Sequence, residues 1–475
     1  MIEQDKAALR KLLAPAIVRL GFRESSGSGH FGFRTRGSSD PGGDALLLGD
    51  EMHAMTIAPT GAGKTVNCTV PVLLQYPGPM VVFDCKGELA EITARHRQRM
   101  GQEVLVVDPL RITRFTPARF NPLDIVEPDA LDAPDEARSM AEVLLPDRYD
   151  SRDAFWRSRG LHFLTAGMLH AVHDMPKRRR NLVTLRDVVQ GMGKKIGRSG
   201  PPSDQSREIV SRHPEVTRLN DLMDFGSPET VGGMLHFAME GVGFIRGDLI
   251  EDSLSGSDVS LDAITDGAPM TIYLVLPPHL LQSHQALLRS WFGSVFAALF
   301  RRRTRPALAT LLILDEAAQL GTFGPLRTAI TLLRGYGLQT WSFWQDPSQI
   351  VSLYPNDHRT LINNCGLIEA FGAKGAAAWS QLGDLLGQDI GRFGRIGADQ
   401  MLIQHEGQLE LARRIDYRTD PELAPLADPN PIYASTRGPL RRNSPQVPQR
   451  PRNGSEASDQ EDLQSFVEAI RQRHS

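Results

Sequence analysis

The chain has 475 residues, with 53 Lys plus Arg against 56 Asp plus Glu, for a formal net charge of -3. At roughly 150 residues per domain this length predicts two to four domains. The charge excludes a wholly basic, histone-like binder of nucleic acid, while leaving room for a local basic surface. A hydrophobic fraction of 41% and a charged fraction of 23% exclude collagen-like and mostly disordered chains. The three cysteines, Cys68, Cys85 and Cys365, are far apart and form no CxxC pair. That argues against a structural zinc site or a disulfide framework and fits a reducing compartment.

In chain order, residues 1–44 read as a preface, with a short amphipathic helix over Ala7–Leu20 and then Ser/Gly-rich loops at Ser25–Gly29 and Arg36–Asp44. From residue 45 the pattern changes. His53–Ala58, Met80–Asp84 and Val104–Val107 are short apolar runs separated by stretches long enough for a helix, the signature of βαβ units around a parallel sheet. Between residues 128 and 266 the strand signals vanish. Ser151 is placed to cap a helix reaching Asp174, with Trp156, Phe163, Leu164, Met168, Ala171 and Val172 mostly at helical spacing. Ser227-Pro228-Glu229 starts another, with Pro at the first helical position. We expect an inserted all-α domain here, carrying the basic tetrad Lys177–Arg180 and a Gly/Ser/Pro-rich loop at Gly197–Gln205.

Strand signals return at Met270–Leu276, Leu311–Asp315, Leu338–Trp344 and Gly366–Phe371, with a helix predicted over Gln285–Phe300 and a hairpin at Met401–Gln404 and Gln408–Leu411. Residues 267–433 are thus the second part of the α/β domain that opens at 45–127. Residues 434–475 read as a flexible Pro/Arg-rich tail with a short terminal amphipathic helix. The longest apolar stretches, around Leu12–Leu20, Met270–Leu276 and Trp291–Phe300, fall short of the roughly 18–20 residues that span a bilayer. The opening Met-Ile-Glu-Gln-Asp-Lys lacks the order of a secretory signal. A soluble chain without a direct membrane span is expected.

Ala58-Pro59-Thr60-Gly61-Ala62-Gly63-Lys64-Thr65 follows an apolar strand and precedes a potential helix. That is the context of a phosphate-binding loop, in which glycines let backbone N–H groups turn inward and the helix N-terminus adds positive potential. Thr60, Gly61, Ala62, Gly63, Lys64 and Thr65 are the candidate nucleotide contacts, with Lys64 reaching the β and γ phosphates and the Thr65 hydroxyl binding Mg²⁺. Ala58 stands where the first Gly of the pattern is expected, a position whose role is a tight exit from the strand. Leu311-Leu312-Ile313-Leu314-Asp315-Glu316 places two acids at the carboxyl end of a buried strand, where α/β sheets bind ligands. Asp315 would hold Mg²⁺ and Glu316 would act as general base on water; the plain alternative is an acid that caps the next helix. Gln345 closes the run Trp341–Trp344 and is placed to sense a γ-phosphate, or else to cap the Asp346-Pro347-Ser348 turn. Arg334, in the loop Leu333-Arg334-Gly335-Tyr336-Gly337, reads either as a solvated arginine or as one that reaches a neighbouring subunit's site. Asp84 ends its strand beside the phosphate loop, as an ordering or capping group. His162, His170 and His173 lack a completing ligand, and ordinary helix histidines are favoured over a metal set.

These stretches, together with Asp84-Cys85-Lys86-Gly87-Glu88-Leu89, Phe120-Asn121-Pro122-Leu123, Phe155-Trp156, Thr271-Ile272-Tyr273-Leu274-Val275-Leu276-Pro277-Pro278 and Asn363-Asn364-Cys365, run in one order across about residues 45–430. In that order the chain resembles the type IV secretion coupling proteins, the TraG/TraD family of conjugative DNA-transfer ATPases. The resemblance implies an α/β, RecA-like P-loop nucleotide-binding domain with a mainly parallel sheet and an inserted all-α domain. It implies ATP and Mg²⁺ as ligands, Glu316, Gln345 and Arg334 as catalytic groups, and Arg334 as a trans-acting arginine. It further implies a homo-oligomer, a hexameric ring when active, that drives a relaxase-bound single DNA strand or a protein substrate into membrane-embedded secretion-channel components. The location would be cytoplasmic, or peripheral at the inner membrane through a partner. Typical family members begin with transmembrane helices, and the apolar stretches here are too short for one. Two other readings remain: a nucleotide-gated recruitment adaptor without motor activity, and a double-stranded DNA translocase of the FtsK/HerA type.

Overall fold

The structure, a computed structural model, describes residues 18–23, 45–48, 52–145, 154–196, 211, 213–225, 228–405 and 407–433. The fold below is that of the unit ending at Pro431; of the unit that begins at Ile432, only Ile432 and Tyr433 are described. The loops expected at Ser25–Gly29, Arg36–Asp44 and Gly197–Gln205, the caps Ser151 and Ser227, and the tail from residue 434 lie outside the described residues.

The strands are β1 (Val18–Arg23), β2 (Ala45–Leu48), β3 (His53–Ile57), β4 (Met80–Asp84), β5 (Glu103–Val107), β6 (Met270–Val275), β7 (Thr310–Leu314), β8 (Leu338–Trp344), β9 (Cys365–Ala370), β10 (Gln400–His405) and β11 (Gln408–Arg414). Among the described residues they form one 11-stranded sheet in the order β2-β1-β11-β10-β9-β3-β8-β7-β4-β6-β5. The seven strands from β9 to β5 are mutually parallel. The flank β2-β1-β11-β10 is antiparallel, joined to the parallel part through β9.

Strands covered on both faces need apolar residues in both registers, which is why β3, β4, β6, β7 and β8 are mostly apolar and are buried throughout. Alternate residues feed two cores. Val81, Phe83, Leu312 and Leu314 point into one, while Met80, Val82, Leu311 and Ile313 point into the other. The second core is closed by the helices that follow the phosphate loop (Val70–Gln75) and β4 (Glu88–Arg99). The first is closed by Gln285–Phe300, Gly324–Leu332 and the long strand-free stretch.

Between β5 and β6 the described residues form the α-helices Ala133–Leu144, Ala154–His173, Leu182–Ile196, Pro214–Phe225, Pro228–Val242, Asp248–Leu254 and Leu261–Asp266, and no strand. They meet the core through Ala133–Leu144. A Cβ on Gly293 would lie 3.0 Å from a methyl of Val143, so the glycine lets the two helices close up. The motif Phe120-Asn121-Pro122-Leu123 is a joint. The Asn121 amide donates to Asp124 Oδ1 at 2.6 Å and to the Arg180 carbonyl at 2.8 Å, tying the basic turn Lys177–Arg179 to the core. Trp156 lies over Gly233, where a Cβ would be 2.5 Å from its ring.

Two expectations change. The helix predicted over Ala7–Leu20 does not extend through Val18–Leu20, which belong to β1; Val18 and Leu20 are buried at alternate positions and the strand pairs with both β2 and β11. Residues 7–17 lie outside the described residues. Asp84 is not beside the phosphate loop either. The chain leaves β3 and returns three places further on as β4, because the later strands β8 and β7 insert between them.

Candidate functional site

The order β3-β8-β7-β4 lines up four parallel carboxyl ends. The phosphate loop follows β3, Gln345 follows β8, Asp315 and Glu316 follow β7, and Asp84 ends β4. Topology thus brings together residues more than 280 positions apart, at the edge where α/β sheets take ligands.

The loop has the required backbone. Gly61 has φ 79° and Gly63 φ 98°, conformations that side chains oppose. Ala58 keeps an ordinary φ and its N–H bonds the Trp344 carbonyl at 2.9 Å, so this first position needs no glycine here. Thr65–Thr69 is a widened π-helical turn that runs into Val70–Gln75, with the Val70 N–H reaching back five residues to the Thr65 carbonyl. Pro71 supplies the cause: it has no N–H for the Asn67 carbonyl, and its ring crowds that carbonyl. Lys64 Nζ donates to the Ala58 carbonyl at 2.9 Å and therefore lies over the loop.

Asp315 accepts from the hydroxyl of Thr69 at 3.2 Å. Sequence reading chose Thr65, one turn earlier, and missed Thr69; its i,i+4 spacing from Thr65 was the available signal. Burial, chiefly, pushes the Asp315 carboxyl up to about 6, opposed by the Thr69 bond and the Lys64 charge. Such a desolvated carboxyl is relieved by a cation, so the donor set fits a divalent metal shared with phosphate oxygens. Gln345 Nε2 donates to Glu316 Oε1 at 3.0 Å, while its own N–H is held by Gln349 Oε1 at 2.9 Å. Gln345 and Glu316 are thus one hydrogen-bonded pair, and it is Asp346 that caps the following helix through the Ser348 N–H at 2.8 Å.

Asp84 accepts from the N–H of Ala90 at 2.9 Å and of Lys86 at 3.3 Å, capping the next helix. Burial lifts it to about 7, with the neighbouring Asp315 charge adding to the rise. A third buried carboxyl was not anticipated. Glu369 in β9 accepts from Thr56 at 2.9 Å and from the Cys68 thiol at 3.2 Å, directly under the widened turn, and burial raises it to about 7. It lies in an otherwise apolar strand, Leu367-Ile368-Glu369-Ala370, which was its sequence signal.

Arg334 is not in this cluster. It sits in the turn before β8, at the amino edge of the sheet, separated from the carboxyl edge by the seven residues of β8, about 23 Å of strand. His53, which opens β3 at that same edge, is pushed down to about 4 by burial and then by the Arg334 charge. Arg302 fixes the turn from beneath, donating to the carbonyls of Tyr336 at 3.1 Å and Gly337 at 2.9 Å. Within the basic run Arg301–Arg305, Arg302 is 4% exposed and Arg301 pairs with Glu127 at 3.1 Å and Glu136 at 3.5 Å, while Arg303 and Arg305 are exposed. Lys177–Arg179 stays exposed. In the helical stretch His170 Nδ1 bonds Asp174 at 2.8 Å.

A glycine-bent phosphate loop ahead of a helix, with acids on the next strand but one, defines a RecA-like P-loop nucleotide-binding fold. Residues 23–389 match the family described as type IV secretory system conjugative DNA transfer, and the chain belongs to that family. It is 26% identical over 313 residues to the conjugal transfer protein TraG of Agrobacterium fabrum, covering 64% of this chain and 45% of TraG. It is 24% identical over 367 residues to the type IV secretion system-coupling protein VirD4 of Bartonella quintana, covering 73% and 55%. The chain spans about half the length of these relatives. The fold is that of the conjugative coupling protein TrwB in its unbound monoclinic form, with TM-score 0.57, 14% identity, and coverage of 77% of this chain and 86% of TrwB. TrwB in complex with ADP and Mg²⁺ gives TM-score 0.56 at 13% identity, with the same coverage. No described helix is long and apolar enough to cross a membrane.

Proposed function

We propose that this chain is an ATP-hydrolysing coupling protein that recruits a relaxase–DNA or protein substrate and drives it into a type IV secretion channel. The observation that carries this is the convergence of the phosphate loop, Asp315, Glu316 and Gln345 on one carboxyl edge, in a chain of the conjugative transfer family. Thr60 to Thr65 would wrap the phosphates of ATP, and Lys64 would move from the Ala58 carbonyl onto them. Thr65 and Asp315 would hold Mg²⁺, with the Thr69 hydroxyl orienting the Asp315 carboxylate. Bound there, the ion would supply charge neutralisation for the phosphates.

Glu316 would accept a proton from the attacking water, and Gln345, already bonded to it, would orient that water and register the terminal phosphate. Arg334, on the opposite edge, would complete the site of a neighbouring copy, which makes a ring, hexameric in this reading, the active form. Residues 128–266 would act as the all-α domain inserted between the two parts, 45–127 and 267–433, of the nucleotide-binding domain. The site of action would be the cytoplasmic side of the inner membrane, through channel partners.

The test is ATPase rate against protein concentration, with and without single-stranded DNA. A rate per subunit that climbs steeply with concentration and further with DNA supports an oligomeric, DNA-coupled motor. Measurable ATP binding with no turnover under any condition favours a nucleotide-gated adaptor instead.

A further inference from the structure

The antiparallel flank reaches the phosphate loop through the last residue of β11. Arg414 Nη1 donates to the Ala62 carbonyl at 2.7 Å and to Asn67 Oδ1 at 3.0 Å, and Nη2 donates to the Ala398 carbonyl. The guanidinium lies 4.6 Å above the Phe371 ring, which fixes its plane. Asn67 returns the contact: its Nδ2 donates to the Ile415 carbonyl at 2.6 Å. The Arg414 backbone N–H is itself tied to the Asp399 carbonyl at 2.8 Å. The loop and the end of β11 thus hold each other by reciprocal bonds, side chain to main chain in both directions.

The position of these bonds gives them a consequence for the loop. A trans peptide points its carbonyl and its N–H to opposite sides. Holding the Ala62 carbonyl toward Arg414 therefore turns the Gly63 N–H away from Arg414. The Asn67 side chain occupies the space a Cβ on Gly63 would need, with Oδ1 2.5 Å from that point and Arg414 Nη1 3.6 Å from it. Gly63, Asn67 and Arg414 are consequently one packed unit.

We propose that Arg414 is a positioning residue for nucleotide binding: with Asn67 it locks the phosphate loop in the shape whose N–H groups face the phosphates. This rests on the nucleotide-binding reading above. A lysine keeps the charge but cannot bridge Ala62, Asn67 and Ala398 in one plane, so the conservative variant separates geometry from charge.

The experiment measures ADP and ATPγS affinity, kcat and thermal melting for the full 475-residue chain and its Arg414→Gln, Arg414→Lys and Asn67→Leu variants. Both nucleotides share the β-phosphate cradle, so Kd for both should rise together, by about tenfold or more in Arg414→Gln and about threefold in Arg414→Lys. The value of kcat at saturating ATP should change less than Kd. Asn67→Leu should mimic Arg414→Gln, and the double variant should be no worse than about twofold beyond either single one, because the residues act as a pair. Should Arg414→Gln fail to fold, Arg414→Lys and Asn67→Leu decide by the same criterion. Unchanged Kd in variants that melt lower would reduce Arg414 to a staple for the hairpin and overturn the assignment alone. Absence of nucleotide binding in the parental chain would overturn the underlying reading as well.

Discussion

The two parts of the sheet differ in how they are built and in what they carry. In the parallel part, β9 to β5, the inner strands β3, β8, β7, β4 and β6 are buried throughout, and polar residues stand at the carboxyl ends of β8, β7 and β4. Those residues are the candidate site: Asp84, Asp315 with Glu316, and Gln345. The antiparallel flank, β2-β1-β11-β10, has shorter or half-exposed strands and contributes none of those groups, yet Arg414 at its end grips the loop that would bind phosphate. A buried strand places chemistry at its tip; a flanking strand places support beside it.

The sharpest way to break this comparison is to remove one charge from the parallel part. Lys64→Ala should cost at least about 100-fold in ATP affinity, near loss of detectable binding, since the lysine supplies the loop's only ammonium. Direct titration with a fluorescent ATP analogue checks it, and affinity within threefold of the parent would remove Lys64 from the site.

A smaller effect is expected where the turn after β9 touches the loop. Gly372 has φ 72°, and a Cβ there would lie 2.5 Å from the Cβ of Ala62. Gly372→Ala should therefore cost about 1–3 kcal/mol in stability through a left-handed backbone and overlap. It should also weaken ADP binding about fivefold by pushing the loop. Denaturant titration and ADP binding on the same sample test both halves of the expectation.

The effect of smallest consequence for nucleotide binding is a pH dependence of stability. The Glu369 carboxyl rises by burial from the ordinary 4.5 to about 7 in the fold. The folded chain then holds this proton more tightly than the unfolded chain, so the stability it contributes falls as pH rises from about 4.5 to about 7. The full loss is at most about 3 kcal/mol. Glu369→Gln keeps the shape and removes the titration, so its melting temperature should decline less between pH 5 and 8 than the parent's. Asp84 and Asp315, raised for the same reason, leave a residual slope in both proteins. Equal slopes would show that Glu369 does not titrate in this window.

Legibility in the sequence followed the same division. β4 and β8 and the helix Gln285–Phe300 coincide with the predicted runs, and β3, β5, β6, β7 and β9 differ by a residue or so at their ends, because double-sided burial leaves an unambiguous apolar signature. The first half of β1, Val18–Leu20, was read as the end of a helix, since three residues with Arg19 between Val18 and Leu20 do not separate a period of two from a period of 3.6. The residues at the strand ends were legible as chemistry, but strand order was not. Asp84 was set beside the phosphate loop, where β8 and β7 in fact intervene. Thr69 and Glu369 carried only faint sequence signals and Arg414 none, because each acts through a contact made across the fold, Thr69 with Asp315, Glu369 with Thr56 and Cys68, and Arg414 with Ala62.

The central claim is that the carboxyl edge of β3, β8 and β7 is a hydrolytic nucleotide site in which Glu316 activates water. Glu316→Gln, assayed for ATP binding and for ATP turnover at saturation, tests it most directly. The account predicts binding within about threefold of the parental chain and turnover reduced at least about 100-fold. Turnover at the parental rate with intact binding would contradict it.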